Sequence, residues 1–121
     1  MRWMIHRIHT GHLLEDDFTI YGYRSSVHNY NHVGYTGDLR NCVACHDSGT
    51  YCVPAPEGSA EVPTLRNFYT PLQPAAAACL ACHSSLDAAA HAYVNTAPFG
   101  ESCAACHGDN REYSVDAVHA H

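Results

Sequence analysis

Cys42-Val43-Ala44-Cys45-His46 decides how the rest of the chain is read, because the pattern returns as Cys79-Leu80-Ala81-Cys82-His83 and as Cys103-Ala104-Ala105-Cys106-His107. Six of the seven cysteines fall into these three Cys-x-x-Cys pairs, and each pair is followed at once by His. With 11 His in 121 residues, three such coincidences out of three have a chance of roughly one in a thousand. The pattern is the attachment signature of c-type haem. Residues three apart lie on one face of a helical turn, so both thiols of a motif can add to the vinyl groups along one side of a single porphyrin. The adjoining His then swings under the ring and offers a nitrogen to the iron. The rival readings are a zinc site and a thioredoxin-like redox pair. A zinc tetrahedron would use two pairs and leave the third pair and the three His without a role, and a redox dithiol needs no His at that place.

Three covalent haems in 121 residues leave little room for conventional layers of secondary structure. The hydrophobic fraction of 46% counts seven Cys, eight Tyr and many Ala, while Leu, Ile and Val are sparse for an aliphatic core. The porphyrins themselves are the expected core, since burying area against a large apolar disc replaces burial against side chains. The expected fold is therefore a multihaem cytochrome c, with short α-helices and irregular loops wrapped around stacked haems and little β-sheet. The length permits one domain, a trihaem unit over residues 1–121. A net charge of -6 with only six basic residues, all Arg, excludes nucleic acid as a partner. No apolar run approaches the length that spans a bilayer. The Arg side chains suit the haem propionates as bidentate partners of carboxylates.

Along the chain, Ile5, Ile8, His9 and His12 fall at helical spacing and Gly11 marks an early stop, which predicts a short amphipathic helix carrying His6 and His9. Residues 18–37 alternate around Phe18–Tyr23 and read as an extended segment and loop. The first haem turn is placed at 41–47, followed by a non-helical linker at 53–63 with Pro54, Pro56, Gly58 and Pro63. Thr70 is a candidate N-cap with Pro71 at the first helical position, and Ala75–Ala78 make a helix that leads into the second motif, its start open to resetting by Pro74. Ser84-Ser85-Leu86-Asp87 caps a helix bearing His91, Pro98 and Gly100 break it, and Ser114 caps a last turn through Val118 and His119.

Each motif His (His46, His83 and His107) leaves one iron position open. The remaining histidines are His6, His9, His12, His28, His32, His91, His119 and His121, eight candidates for three places. Methionine, the other common sixth ligand, is present only as Met1 and Met4, so bis-histidine, low-potential haems are expected. His121 is the readiest spare because chain ends fray. His91 and His119 are well placed, each alone on a short helix beside a motif.

The run Met4-Ile5-His6-Arg7-Ile8-His9-x-Gly11, followed by Val33-Gly34-Tyr35-Thr36-Gly37-Asp38-Leu39-Arg40-Asn41-Cys42, resembles a pentahaem domain of the outer-membrane decahaem cytochromes of OmcA/MtrC type. So do Gly49-Thr50-Tyr51 after the first motif, His91 between the second and third, and Gly100-Glu101-Ser102-Cys103 leading to Val115-Asp116-Ala117-Val118-His119. The likeness covers nearly the whole chain and matches the last three haems of such a domain. It implies that His6, His9, His91 and His119 are distal ligands, with His28 a weaker candidate. Four such ligands exceed three places, which assigns one of them to a haem bound by another chain or by an upstream part of a longer one. Cys52 stands where the family usually has no thiol. It reads as a small buried hydrophobe, with a disulfide to another chain as the alternative.

Haem c is attached outside the cytoplasm, and residues 1–20 show no signal-peptide pattern; the chain is accordingly read as the mature part or a fragment of a longer multihaem protein. The expected setting is the periplasm or the outer cell surface. The expected function is electron transfer through closely spaced haems, without a catalytic residue, to extracellular acceptors such as metal oxides, with other haem proteins or copies of itself as partners. The alternatives are a polymerising subunit of a cytochrome filament, or nanowire, that shares ligands between chains, and a multihaem reductase with one open iron. The second alternative sits poorly with an oversupply of ligands.

Overall fold

The computed structural model describes residues 2–63 and 71–119. Helix α1 (Arg2–Thr10) ends where Gly11 takes φ +43, the early stop expected from the sequence. A Cβ at Gly11 would overlap the Val33 carbonyl oxygen, so only glycine lets the helix end lie against this loop. His12 N donates to that same carbonyl at 3.1 Å. The amphipathic helix is present, but its buried side is polar. Arg7, 3% exposed, and Thr10 face inward. Arg7 sits 5.0 Å from the ring centres of Trp3 and Phe18 and pairs with Asp16 at 2.7 Å. Cation–π contact with two rings and one carboxylate compensate the guanidinium for the water it loses. The side bearing Ile5 and His9 is left exposed.

Residues 18–37 contain a hairpin of β1 (Thr19–Tyr21) and β2 (Val27–Asn29), paired antiparallel with Ile20 opposite His28. Its turn places Arg24 and Ser25 at positive φ. Motif one follows as a tight 3-10 turn, Cys42–Ala44.

Helix α2 (Pro74–Cys79) begins at Pro74, with Gln73 rather than Thr70 before the first turn. Pro71 is therefore not the first helical residue. Leu72 instead pairs with Val62 across a β-bridge, and that extended pairing holds 71–73 out of the helix; Thr70 lies outside the described residues. Helix α3 (Leu86–Val94) carries His91 and is capped as expected by Ser85, whose Oγ accepts from Ala88 N at 3.2 Å. A short hairpin, β3 (Thr96–Ala97) and β4 (Gly100–Glu101), separates α3 from the third motif, which lies on α4 (Ala104–His107). Ser114 starts α5 (Val115–His119), its Oγ accepting from Ala117 N at 3.4 Å.

Among the described residues the buried apolar side chains are Val53, Ala75, Ala76, Ala77 and Ala81, and no large side chain is fully buried. Alanine lets backbones approach closely but removes little apolar area from water. Leu13, Val43, Leu86, Val94 and Phe99 stay exposed, so the polypeptide does not complete its own core.

Candidate functional site

All three motifs fold the same way. The carbonyl of the first Cys accepts from the second Cys N at 3.1–3.2 Å and from the His N at 2.9 Å, in 42–46, 79–83 and 103–107 alike. This single turn puts Cys42 with Cys45, Cys79 with Cys82 and Cys103 with Cys106 on one side. All seven thiols are free. Burial pushes the Cys79 thiol up to about 11, with the charges of Cys103, Glu101 and Cys82 adding to it. Cys42 and Cys103 are also raised, again chiefly by burial.

Each motif His faces one other imidazole. His6 on α1 lies 5.9 Å from His46, centre to centre, at 41°. His119 on α5 lies 5.9 Å from His83 at 75°. His91 on α3 lies 6.1 Å from His107 at 87°. With metal–nitrogen bonds of about 2 Å and about 1 Å from ring nitrogen to ring centre, two imidazoles on opposite sides of one iron stand roughly 6 Å apart. The ring pairs therefore have the separation that a bis-histidine iron requires. Among the described residues no three His, Cys, Asp or Glu converge on one ion. A cleft of about 260 Å³ opens between Cys42, Val43, Tyr51, Val115 and His119, and another of about 190 Å³ reaches Cys103.

Hydrogen bonds orient several of these rings. His107 Nδ1 donates to Tyr113 O at 2.9 Å and His119 Nδ1 to Val115 O at 3.2 Å. A carbonyl only accepts, so Nδ1 carries the proton and Nε2 keeps the lone pair that binds metal. His6 Nδ1 is buried without a partner. Its burial, then the nearby His46, His9 and Arg2, lower the His6 pKa below its usual value and favour the neutral imidazole that ligation needs.

His9 is not brought to any motif His. Its Nδ1 donates to Ile5 O at 2.8 Å, its ring stands edge-on to Tyr35 at 5.4 Å, and it is exposed. His12 is held in the same manner by Val33 O at 3.0 Å, and His28 bonds Ser26 Oγ at 3.2 Å; neither meets a motif ring. His121 lies outside the described residues. Cys52 is half-buried rather than buried, its thiol directed at Gly49 O and Pro54 O at 3.2 and 3.5 Å; these carbonyls hold it short of the interior. Of the arginines offered as propionate partners, Arg7 is committed to Asp16 and Arg40 to Asp38.

Some contacts were not foreshadowed. Tyr51 packs 6.3 Å from His46, and Thr10 Oγ1 lies 3.2 Å from Cys82 Sγ, tying α1 to the second motif. The recurrence of Tyr shortly after the first and third motifs was a usable signal for Tyr51 and Tyr113; nothing local marks Thr10.

Residues 1–120 match the family model described as outer membrane cytochrome MtrC/MtrF-like, domains II/IV. Neither the curated proteins nor the solved structures yield a match.

Proposed function

Because the chain belongs to the MtrC/MtrF-like outer membrane cytochromes, electron carriers with covalently bound haem c, we propose that it holds three such haems in the manner its three ring pairs suggest. Cys42 and Cys45, Cys79 and Cys82, and Cys103 and Cys106 are the attachment points. His46 with His6, His83 with His119, and His107 with His91 would hold the three irons. The observation that carries this reading is the repeated separation of 5.9–6.1 Å at all three motifs.

When bound, haem c would supply one-electron iron couples. The chain's own residues fix attachment and ligation. The motif turns hold paired thiols on one side, α1, α3 and α5 each deliver one distal imidazole, and Tyr113 O and Val115 O set the tautomer of two of the rings. The exposed apolar side chains give the rings a surface to bury against.

The family places the protein outside the cytoplasm at the outer membrane, and among the described residues no helix is long and apolar enough to cross a membrane. Extracellular acceptors such as metal oxides are the proposed electron sink. The test is quantitation of haem with optical and EPR spectra. Three haems per chain, all low-spin, are expected; two or fewer, or one high-spin iron, overturn the assignment.

A second reading draws on His9. Its exposed ring, with Nδ1 occupied and Nε2 free, suits the iron of a haem held by another chain or by a preceding part of a longer one. Ligand sharing between copies would build a filament, and electron microscopy of the purified protein separates the cases by the presence or absence of uniform fibres.

A further inference from the structure

Glu101 ends β4, two residues before Cys103 of the third motif, yet its carboxylate is spent on the second. Oε2 accepts from Ala75 N at 2.9 Å and Oε1 from Ala76 N at 2.6 Å. Ala75 and Ala76 are both buried at the start of α2, the helix that runs into Cys79. The other side of the clasp is fixed as well, since Ser102 N and Oγ both bond Asn95 O, at 3.0 and 3.2 Å, at the end of the His91 helix. No Arg or Lys pairs with Glu101 among the described residues. Two amide donors stabilise a carboxylate in its charged form, so a negative charge is held in a partly dry position between the segments that lead into two motifs. It stands two residues before Cys103 and bonds the amides three and four residues before Cys79, so it lies beside the approach to both attachment turns.

We infer that Glu101 is a positioning residue that also sets potential: it ties the second motif to the third and, as a fixed anion, favours the oxidised iron at both. The inference rests on the haem ligation proposed above. A ferric centre carries one more positive charge than a ferrous one, so a nearby anion that solvent screens poorly lowers the reduction potential. The carboxylate near the first motif is instead Asp116, which lines the same cleft as Cys42 but is exposed, so solvent screens its charge.

The experiment compares wild type with Glu101→Gln in the full haem-loaded chain, following each haem separately by NMR during a redox titration. The amide replaces the charge while keeping one acceptor oxygen. Expected are three haems in both proteins, an upward shift of the two potentials belonging to the Cys79/Cys82 and Cys103/Cys106 haems, and little change in the third. Unchanged potentials, or an equal shift of all three, overturn the inference. An exposed control, Asp109→Asn, should shift the third-motif haem only at low salt, whereas the Glu101→Gln shift should persist at high salt; a shift abolished by salt also overturns the inference. Should Glu101→Gln not mature fully, Glu101→Asp and Glu101→Asn share a shortened clasp and differ in charge. Asn must then give the higher potentials at those two haems, and equal values refute the role of charge. Wild-type protein with fewer than three haems would instead count against the ligation itself.

Discussion

His6 faces His46 across 5.9 Å with its Nδ1 buried and unbonded, and in this it differs from His107 and His119, whose Nδ1 atoms donate to backbone carbonyls. Such a bond makes the metal-binding nitrogen more basic and favours the ferric state. The iron served by His6 and His46 is therefore expected to have the highest potential of the three. Glu101 acts in the same direction by lowering the other two. A resolved redox titration that places the first-motif haem lowest refutes the ordering.

Removing a distal imidazole should open one iron at a time. His6→Ala, His91→Ala and His119→Ala are each expected to convert one low-spin haem in three to high-spin, read by EPR. His9→Ala should leave all three low-spin in the isolated chain, because no motif ring lies opposite it. A high-spin signal from the His9 variant would transfer the ligand role from His6.

The ring planes differ in a way spectroscopy can read. His91 and His107 are nearly perpendicular at 87°, and His83 and His119 stand at 75°, against 41° for His6 and His46. Crossed imidazoles leave two iron orbitals close in energy and give a strongly anisotropic low-spin EPR signal. Two such signals and one more rhombic signal are expected; three alike would contradict the ring orientations.

Gly11→Ala should be severe for a small change. The residue has φ +43, and a Cβ would overlap the Val33 carbonyl. Strain and displacement together should cost about 2–4 kcal/mol, seen as a lowered denaturation midpoint of the haem-loaded protein. A wild-type midpoint would show that the α1 end does not lie against the loop as described.

The Arg7–Asp16 pair predicts an order of effects. Arg7 is 3% exposed and Asp16 57%. Asp16→Ala strands a buried guanidinium and should cost about 2 kcal/mol, the flanking Trp3 and Phe18 rings offsetting part of the loss. Arg7→Leu leaves only a solvated carboxylate behind and should cost less. Chemical denaturation of both variants decides, and the reverse order would show that packing of the arginine stem outweighs its charge.

Local sequence signals suffice wherever the contact they foretell is itself local. The three motif turns, the stop at Gly11 and the caps at Ser85 and Ser114 each depend on a few consecutive residues. For α2 the sequence offers two starts, Pro71 and Pro74, and the choice falls to Pro74 because Val62 pairs with Leu72 and holds 71–73 extended. Counting showed that histidines outnumbered places, but the partner of each ring depends on where α1, α3 and α5 pack, and composition carries no such information. Glu101 carries no local signal, since its hydrogen bonds reach back 25 and 26 residues, past the second motif.

The alanines of α2 and the second motif bear on speed. Electron tunnelling falls off exponentially with the gap between donor and acceptor edges, so the width of the material separating the motifs matters more than modest differences in driving force. Ala77 and Ala81 are wholly enclosed, and a single methyl group is nearly the thinnest spacer an L-residue offers. On the haem arrangement proposed above, a larger side chain at either would push apart the segments around the second motif, and the loss would appear in the rate of internal electron transfer before it appeared in any equilibrium property of the individual centres.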